Sequence, residues 1–409
     1  MEALARPLEF LRDGAWLTRA RIARWAGVTL ACSIGFEAFL IFTAHGLNDF
    51  DGRPLGTDFS SFYTAGRVAL HGLNPYGQHA LYQMQQAVFG ARTPYYSFAY
   101  PPFFVLIAEL LARPQYLVSF ALWQGSGFVF YLFGMSALRN RYGAAIPAGL
   151  YFTCAAGFTA VIINLTHGQT AFLTAALFAF GLALLPEQPC LAGAAFGLLS
   201  IKPQLGLLIP FALAAGGYWR SFGSAAVTVL AMAALSTILL GTGIWAAFLI
   251  AADQSRHIIL DLGGVDYSKM VSVFAWARIW RLPLTAAYSV QAMVSAAVII
   301  GVSLAWRSDA DPRTKGAALC LGTLLVTPFA LDYDLMAMAP AIALLAMYES
   351  GDRDTRYLAA ALSCLWIAPL FARFFAATFL LPLGAWCVAA GLVLVLREIS
   401  QQTRSCWST

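Results

Sequence analysis

The chain reads as an all-α polytopic membrane protein, and three observations lead there. Of its 409 residues, 60% are hydrophobic and 14% aromatic while 11% are charged; a soluble domain carries about 25% charged and 45–50% apolar residues. The mean hydropathy is +0.70, and the apolar residues fall into runs near the ~20 residues that a helix needs to cross a bilayer. Lys and Arg gather in short polar segments at alternate ends of those runs, the pattern of cytoplasmic loops. Backbone polar groups in hydrocarbon must be satisfied internally, so runs of this length mean helices.

Residues 1–24 carry Arg6, Arg12, Arg19, Arg21 and Arg24 and lack a small-residue cleavage site after a short apolar core. They read as a retained, amphipathic cytoplasmic segment. The membrane domain is expected over 25–396. Within it, 25–44 crosses outward to a long outer loop at 47–99, and 116–138 returns to deliver Arg139 and Arg141. Next, 144–163 leads out to NLTHGQT and 171–185 returns to PEQP. The segments 191–201 and 205–215 are each short and read as a broken hairpin with Lys202 and Pro203 at its outer tip. Trp219 and Arg220 lie inside, and 222–240 goes out to a second long loop at 241–284. After that, 286–306 comes in to RSDADPRTK, 316–329 goes out to LDYD, and 335–347 returns to ESGDRDTR. Finally 357–370 and 378–396 complete the bundle, leaving 397–409 as a cytoplasmic tail. The segment 100–112 is expected to be partly inserted or surface-lying, because a full crossing would put RNRYG on the wrong side. About twelve crossings result, two of them short.

The 7 Cys are scattered singly with no CxxC, so they read as small core residues rather than a metal or disulfide framework. No phosphate-cradling glycine loop, HExxH, GxSxG or nucleic-acid motif is present, and the two halves show no internal repeat of the kind common in transporters. Asn164-Leu-Thr166 matches a glycosylation acceptor pattern but lies too close to the bilayer and reads as chance. AGAAFGLLS sets small residues at four-residue spacing for close helix contact.

The polar residues of the outer segments need a reason to be there. Asp58 precedes SSFYTAGRVAL, whose Phe59, Phe62, Tyr63 and Val68 repeat at helical spacing, which predicts a membrane-surface helix with Asp58 at its N-cap or first turn. Asp58 is thus either a helix cap or a catalytic carboxylate; Asp49 and Asp51 read as solvated turn residues. Lys202 is an ionisable residue in an apolar region, a functional pointer by default, with snorkelling as the bland alternative. His167 and Gln169 sit at a neighbouring outer end and either contact a ligand or satisfy local backbone. Asp332 and Asp334 flank Tyr333 at another outer end; i, i+2 carboxylates diverge on a helix, so substrate contact is favoured over a metal. Arg67, Arg256, Lys269, Arg278 and Arg281 add outer positive charge, with loop solvation or lipid-headgroup contact as the default. Tyr100, Pro101 and Pro102 shape a helix entry.

The ordered motifs DFSSFYTAGR, HGLNPY, YPPFF, HGQTAFL, AGAAFGLLSIKPQLGLLIP with WRSF, and TPFALDYDLMAMAPA resemble glycosyltransferase family 87 over about residues 50–345. The resemblance implies a GT-C fold with periplasmic juxtamembrane helices in the first long outer loop. It also implies a hexosyltransferase of the bacterial inner membrane that moves a sugar, mannose first among the candidates, from a polyprenyl-phosphate donor to a lipid or glycan hydroxyl on the periplasmic face. Such a transfer needs a base for the acceptor proton and groups that hold the departing phosphate. By resemblance, Asp58 is the base. Lys202, His167, Gln169, Arg256 and Lys269 are the candidates for donor phosphate, and Tyr63, Arg67, Tyr100, Asp332, Tyr333 and Asp334 for substrate contact. No cofactor, metal or nucleic acid is called for; the partners are donor, acceptor and membrane lipids. A lipid flippase or transporter without covalent chemistry, and a catalytically dead scaffold, are the competing classes.

Overall fold

The computed structural model describes residues 12, 14, 16–143, 146–349 and 357–405. Arg6, most of the ESGDRDTR segment and Cys406 lie outside the described residues. Those described form helices and turns, with only isolated β-bridges and no strand.

Six helices are long and apolar enough to cross a membrane. They are α1 (Arg19–Phe42), α5 (Tyr116–Tyr142), α12 (Trp219–Leu240), α15 (Leu284–Arg307), α18 (Leu358–Phe379) and α19 (Leu383–Ser405). A bent pair, α6 (Ala148–Ala156) and α7 (Ala160–His167), raises the number to seven if it counts as one span. Among the described residues six or seven of the twelve expected crossings are thus carried by helices of full spanning length. The other expected crossings fall on shorter helices, α8 (Ala171–Leu184), α9 (Pro189–Leu198), one-turn α10 (Pro203–Gly206), α11 (Ile209–Ala215), α16 (Pro312–Leu325) and α17 (Met338–Glu349), and the segment expected to be partly inserted is α4 (Pro102–Leu111). At 1.5 Å per residue, α8 covers about 21 Å of a ~30 Å core.

The short helices are central rather than incomplete. Nearly every side chain of α8 and of α16 (Pro312–Leu325) is buried, and with α17 (Met338–Glu349) they form the middle of the main apolar core. A helix that is apolar on all sides belongs in such an interior. By contrast α1 and α12 expose almost their whole apolar surface, as lipid-facing helices do.

The expected single crossing at 144–163 divides because of one contact. The α6–α7 pair bends by 48° at Gly157, where a β-carbon would overlap the Ala26 carbonyl of α1. Thr29 Oγ1 donates to the Gly157 carbonyl at 2.6 Å, fixing α1 there. The last two helices differ from expectation as well. Helix α18 runs through Pro369 to Phe379, and α19 continues to Ser405, into the stretch read as tail.

The 47–99 loop holds α2 (Phe59–Leu70) and α3 (Gln78–Phe89), which with α4 make a second, aromatic core built on Phe59, Phe62, Tyr76, Phe98, Phe104 and Tyr116. Helix α2 lies directly on α4: a side chain at Gly66 would overlap the Ala108 carbonyl. The ten residues of α4 are too few to span, in keeping with a partly inserted helix. The 241–284 loop forms α13 (Gly243–Arg256), a 3-10 turn at Tyr267–Lys269 and α14 (Val273–Ile279).

Candidate active site

Asp58 holds the N-cap position of α2, yet its side chain makes no capping hydrogen bond. Its backbone N–H donates to the His167 carbonyl at 2.9 Å, and its own carbonyl accepts from Ser61 Oγ at 2.8 Å. The carboxylate turns instead to the α7–α8 junction, where Oδ2 accepts from Gln169 Nε2 at 3.0 Å. Gln169 is oriented from its other end: Oε1 accepts from the Thr170 N–H at 3.0 Å and from the Tyr100 hydroxyl at 2.7 Å. A backbone N–H can only donate, so the amide oxygen faces Thr170 and the amide nitrogen faces Asp58.

The HGQT sequence explains why the junction reaches α2. Gly168 ends α7 in the left-handed region at φ +67, and a side chain there would run into Phe59. Trp123 Nε1 and Gln124 Nε2 of α5 take up the carbonyls freed at the end of α7, at Gly168 (3.0 Å) and Leu165 (2.7 Å). Asn164 is fully buried and its Oδ1 accepts from the Ala171 N–H at 3.0 Å, so it serves the start of α8 and is no glycan acceptor. His167 Nδ1 lies 2.9 Å from the Ile163 carbonyl. A carbonyl only accepts, so Nδ1 carries a proton.

A second group of residues comes from the far end of the chain. Met270 and Leu331 form an antiparallel bridge, with the Val271 N–H donating to the Ala330 carbonyl at 2.9 Å. That pairing sets Lys269 opposite Asp332. Beyond it, Lys202 Nζ sits 2.7 Å from Asp334 Oδ1, with side chains only 3% and 0% exposed. The same ammonium lies 4.4 Å from the centre of the Tyr333 ring, which also faces His167 at 5.8 Å. Asp334 Oδ2 accepts the Leu331 N–H at 3.1 Å. Lys202 is therefore buried and ion-paired, not a free cation at an open hairpin tip.

Electrostatics tie the two groups together. Burial pushes the Lys269 ammonium below the usual lysine range and Arg373 pushes the same way, while Asp332 and Asp58 oppose them. Burial raises the Asp332 carboxyl, against the pull of His167, Arg373 and Lys269. Tyr96 is pushed up to about 12, by burial first and by the Asp58 charge second. Lys269 and Arg373 donate no side-chain hydrogen bond to any described residue.

Several candidates sit elsewhere. Arg256 is held by Asp253 (3.1 Å), Asp261 (2.9 Å) and the Tyr288 hydroxyl (3.3 Å), away from the Asp58 group. Tyr63 donates its hydroxyl to the Pro114 carbonyl at 3.1 Å, and with Arg67 it lines a separate cavity. Arg278 donates to the Leu282 carbonyl at 2.7 Å. Asp49 Oδ1 accepts the Asp51 and Arg53 N–H groups as an ordinary turn residue. Three residues near the site escaped the sequence reading: Arg53, Tyr96 and Arg373. Only Arg373 leaves a signal, an ionisable residue in an apolar helix, hidden because the apolar run reads as ending at 370.

The family model described as glycosyltransferase family 87 matches residues 98–328, more than half of the chain. The chain belongs to glycosyltransferase family 87. No curated protein and no solved structure matches it. The protein is a membrane glycosyltransferase, and membership in this family is consistent with a GT-C placement and favours covalent transfer over a flippase. Tyr100, His167, Gln169, Lys202 and Lys269 of the glycosyltransferase lie inside the matched stretch. Asp58, Asp332, Asp334 and Arg373 lie outside it, so the case for them rests on geometry.

Proposed function

We propose that this glycosyltransferase moves a sugar, mannose first, from a polyprenyl-phosphate donor to a lipid or glycan hydroxyl on the periplasmic face of a bacterial inner membrane, with Asp58 as general base. The acceptor oxygen attacks the anomeric carbon, the bond from that carbon to the phosphate oxygen breaks, and the hydroxyl proton passes to Asp58. One carboxylate suffices for this inverting route. The donor phosphodiester carries one negative charge and the departing polyprenyl phosphate two. Cations beside it therefore stabilise the transition state more than the bound substrate.

The observation that carries the reading is the Asp58 side chain. It stands where a helix cap would be, declines that role, and is presented by Gln169 toward a polar cluster at the end of the helices. Lys269 and Arg373 are the better phosphate holders, because the Lys202 charge is already answered by Asp334. Tyr100 bonds Gln169, the His167 carbonyl holds the Asp58 N–H and Asp332 stands opposite Lys269, which makes these three the candidates for contact with sugar or phosphate oxygens. Lys202, Tyr333 and Asp334 act through position, stacking under the site.

Asp58→Asn tests this. Losing a general base costs typically 10²–10⁴-fold in rate. The variant should lose transfer on that scale, with unchanged folding and retained binding of donor. Transfer at the wild-type rate would remove Asp58 from the mechanism.

A further inference from the structure

A cavity of about 390 Å³ is lined by Leu47, Tyr63, Arg67, Val88, Gln115, Tyr116 and Leu117. Its volume is in the range of small-molecule sites. The guanidinium of Arg67 makes no hydrogen bond or ion pair with any described residue, and its Nε is buried without a partner. A buried donor left unpaired is costly, which points to a ligand that supplies the acceptor. The mouth is apolar on one side. Beside Leu117, a row of exposed apolar residues runs down α5 through Val118, Leu122, Val129 and Phe133, on a helix whose far end carries Arg139 and Arg141. An unpaired guanidinium at the head of a bare apolar stripe matches one kind of molecule, with an anionic head and hydrocarbon tails. Arg113, exposed two residues before Gln115, adds positive charge close by.

We propose that this cavity seats the phosphate headgroup of an anionic phospholipid from the surrounding bilayer, with Arg67 on the phosphate and the acyl chains along the α5 stripe. The occupant is a bilayer lipid and not the glycosyl acceptor, because of where Arg67 stands on its helix. Nine residues after Asp58, it lies about 14 Å along the axis and half a turn round. A phosphate held on Arg67 therefore stands well away from the Asp58 carboxylate. The proposal stands whether or not Asp58 is the base.

The test is native mass spectrometry of the purified full chain, titrated with phosphatidylglycerol or phosphatidylcholine. Wild type should retain phosphatidylglycerol at about fivefold lower concentration, the scale of one uncompensated negative charge beside one basic residue, because the choline ammonium of phosphatidylcholine answers its own phosphate, and Arg67→Gln should erase that preference. Equal retention of the two lipids by wild type, or an unchanged preference in Arg67→Gln, overturns the proposal. Should the variant fail to fold, wild type labelled with a diazirine-tailed phosphatidylglycerol decides. Adducts on 115–122 support the site, and adducts confined to other segments refute it.

Discussion

The buried Lys202–Asp334 pair makes the sharpest energetic prediction. At 2.7 Å between Nζ and Oδ1, the attraction is about 6 kcal/mol at an effective dielectric constant near 20. Desolvating two ions at these exposures costs several kcal/mol each, so the intact pair is close to neutral against an apolar replacement. Breaking it is another matter: one partner alone leaves an uncompensated charge, at a cost of about 3–5 kcal/mol. Lys202→Met and Asp334→Leu should each destabilise on that scale, and the double variant should recover most of the loss. The assay is a double-mutant cycle by denaturant unfolding in detergent, following tryptophan fluorescence. A coupling below about 1 kcal/mol, the value for an exposed pair, would refute the burial argument. Single losses that simply add would refute the pairing. Transfer activity in the double variant separates the two roles. If Lys202 acts through position, a refolded double variant keeps measurable transfer, whereas a phosphate-holding Lys202 would leave none.

Gln169→Leu removes the one side-chain donor that the described residues offer to the Asp58 carboxylate; a hydrogen bond to a charged group is worth about 1.5–3 kcal/mol. Its kcat should fall about 10–100-fold with KM for the donor little changed, and a wild-type kcat would show that Gln169 does not orient the base. Lys269→Gln and Arg373→Gln should each weaken inhibition by free polyprenyl phosphate, read as a raised inhibition constant in the transfer assay. Lys269 also sets a pH limit. Its pKa lies below that of an ordinary lysine, so it loses its proton at a lower pH, and transfer should decline on the alkaline side as its charge is lost. Lys269→Arg, which stays charged, should move that decline to higher pH; an unmoved profile would assign it to another group.

The membrane class was legible because burial in lipid needs no partner: hydrophobicity alone reports it. The interruptions were not. Gly157 splits a run that looks continuous, since the cause is the Ala26 carbonyl of another helix. Helix α18 passes through Pro369 and Arg373, residues that read locally as an end. Asp58 was legible as a residue that needs a reason, and its N-cap position was anticipated. That it would not cap depended on Gln169, 111 positions away. The pairing of Lys202 with Asp334 spans 132 positions, and the Met270–Leu331 bridge that brings Lys269 to Asp332 has no sequence signature at all. Single residues announce chemistry; which of them meet is decided by packing that one sequence does not spell out.

A structure with a non-hydrolysable polyprenyl-phosphate sugar bound would test the account most directly. The phosphate is expected within hydrogen-bond reach of Lys269 and Arg373, with the anomeric carbon turned so that an acceptor hydroxyl fits between it and Asp58. A phosphate bound at the Arg67 cavity, or a sugar with Asp58 out of reach of its reactive face, would contradict the assignment.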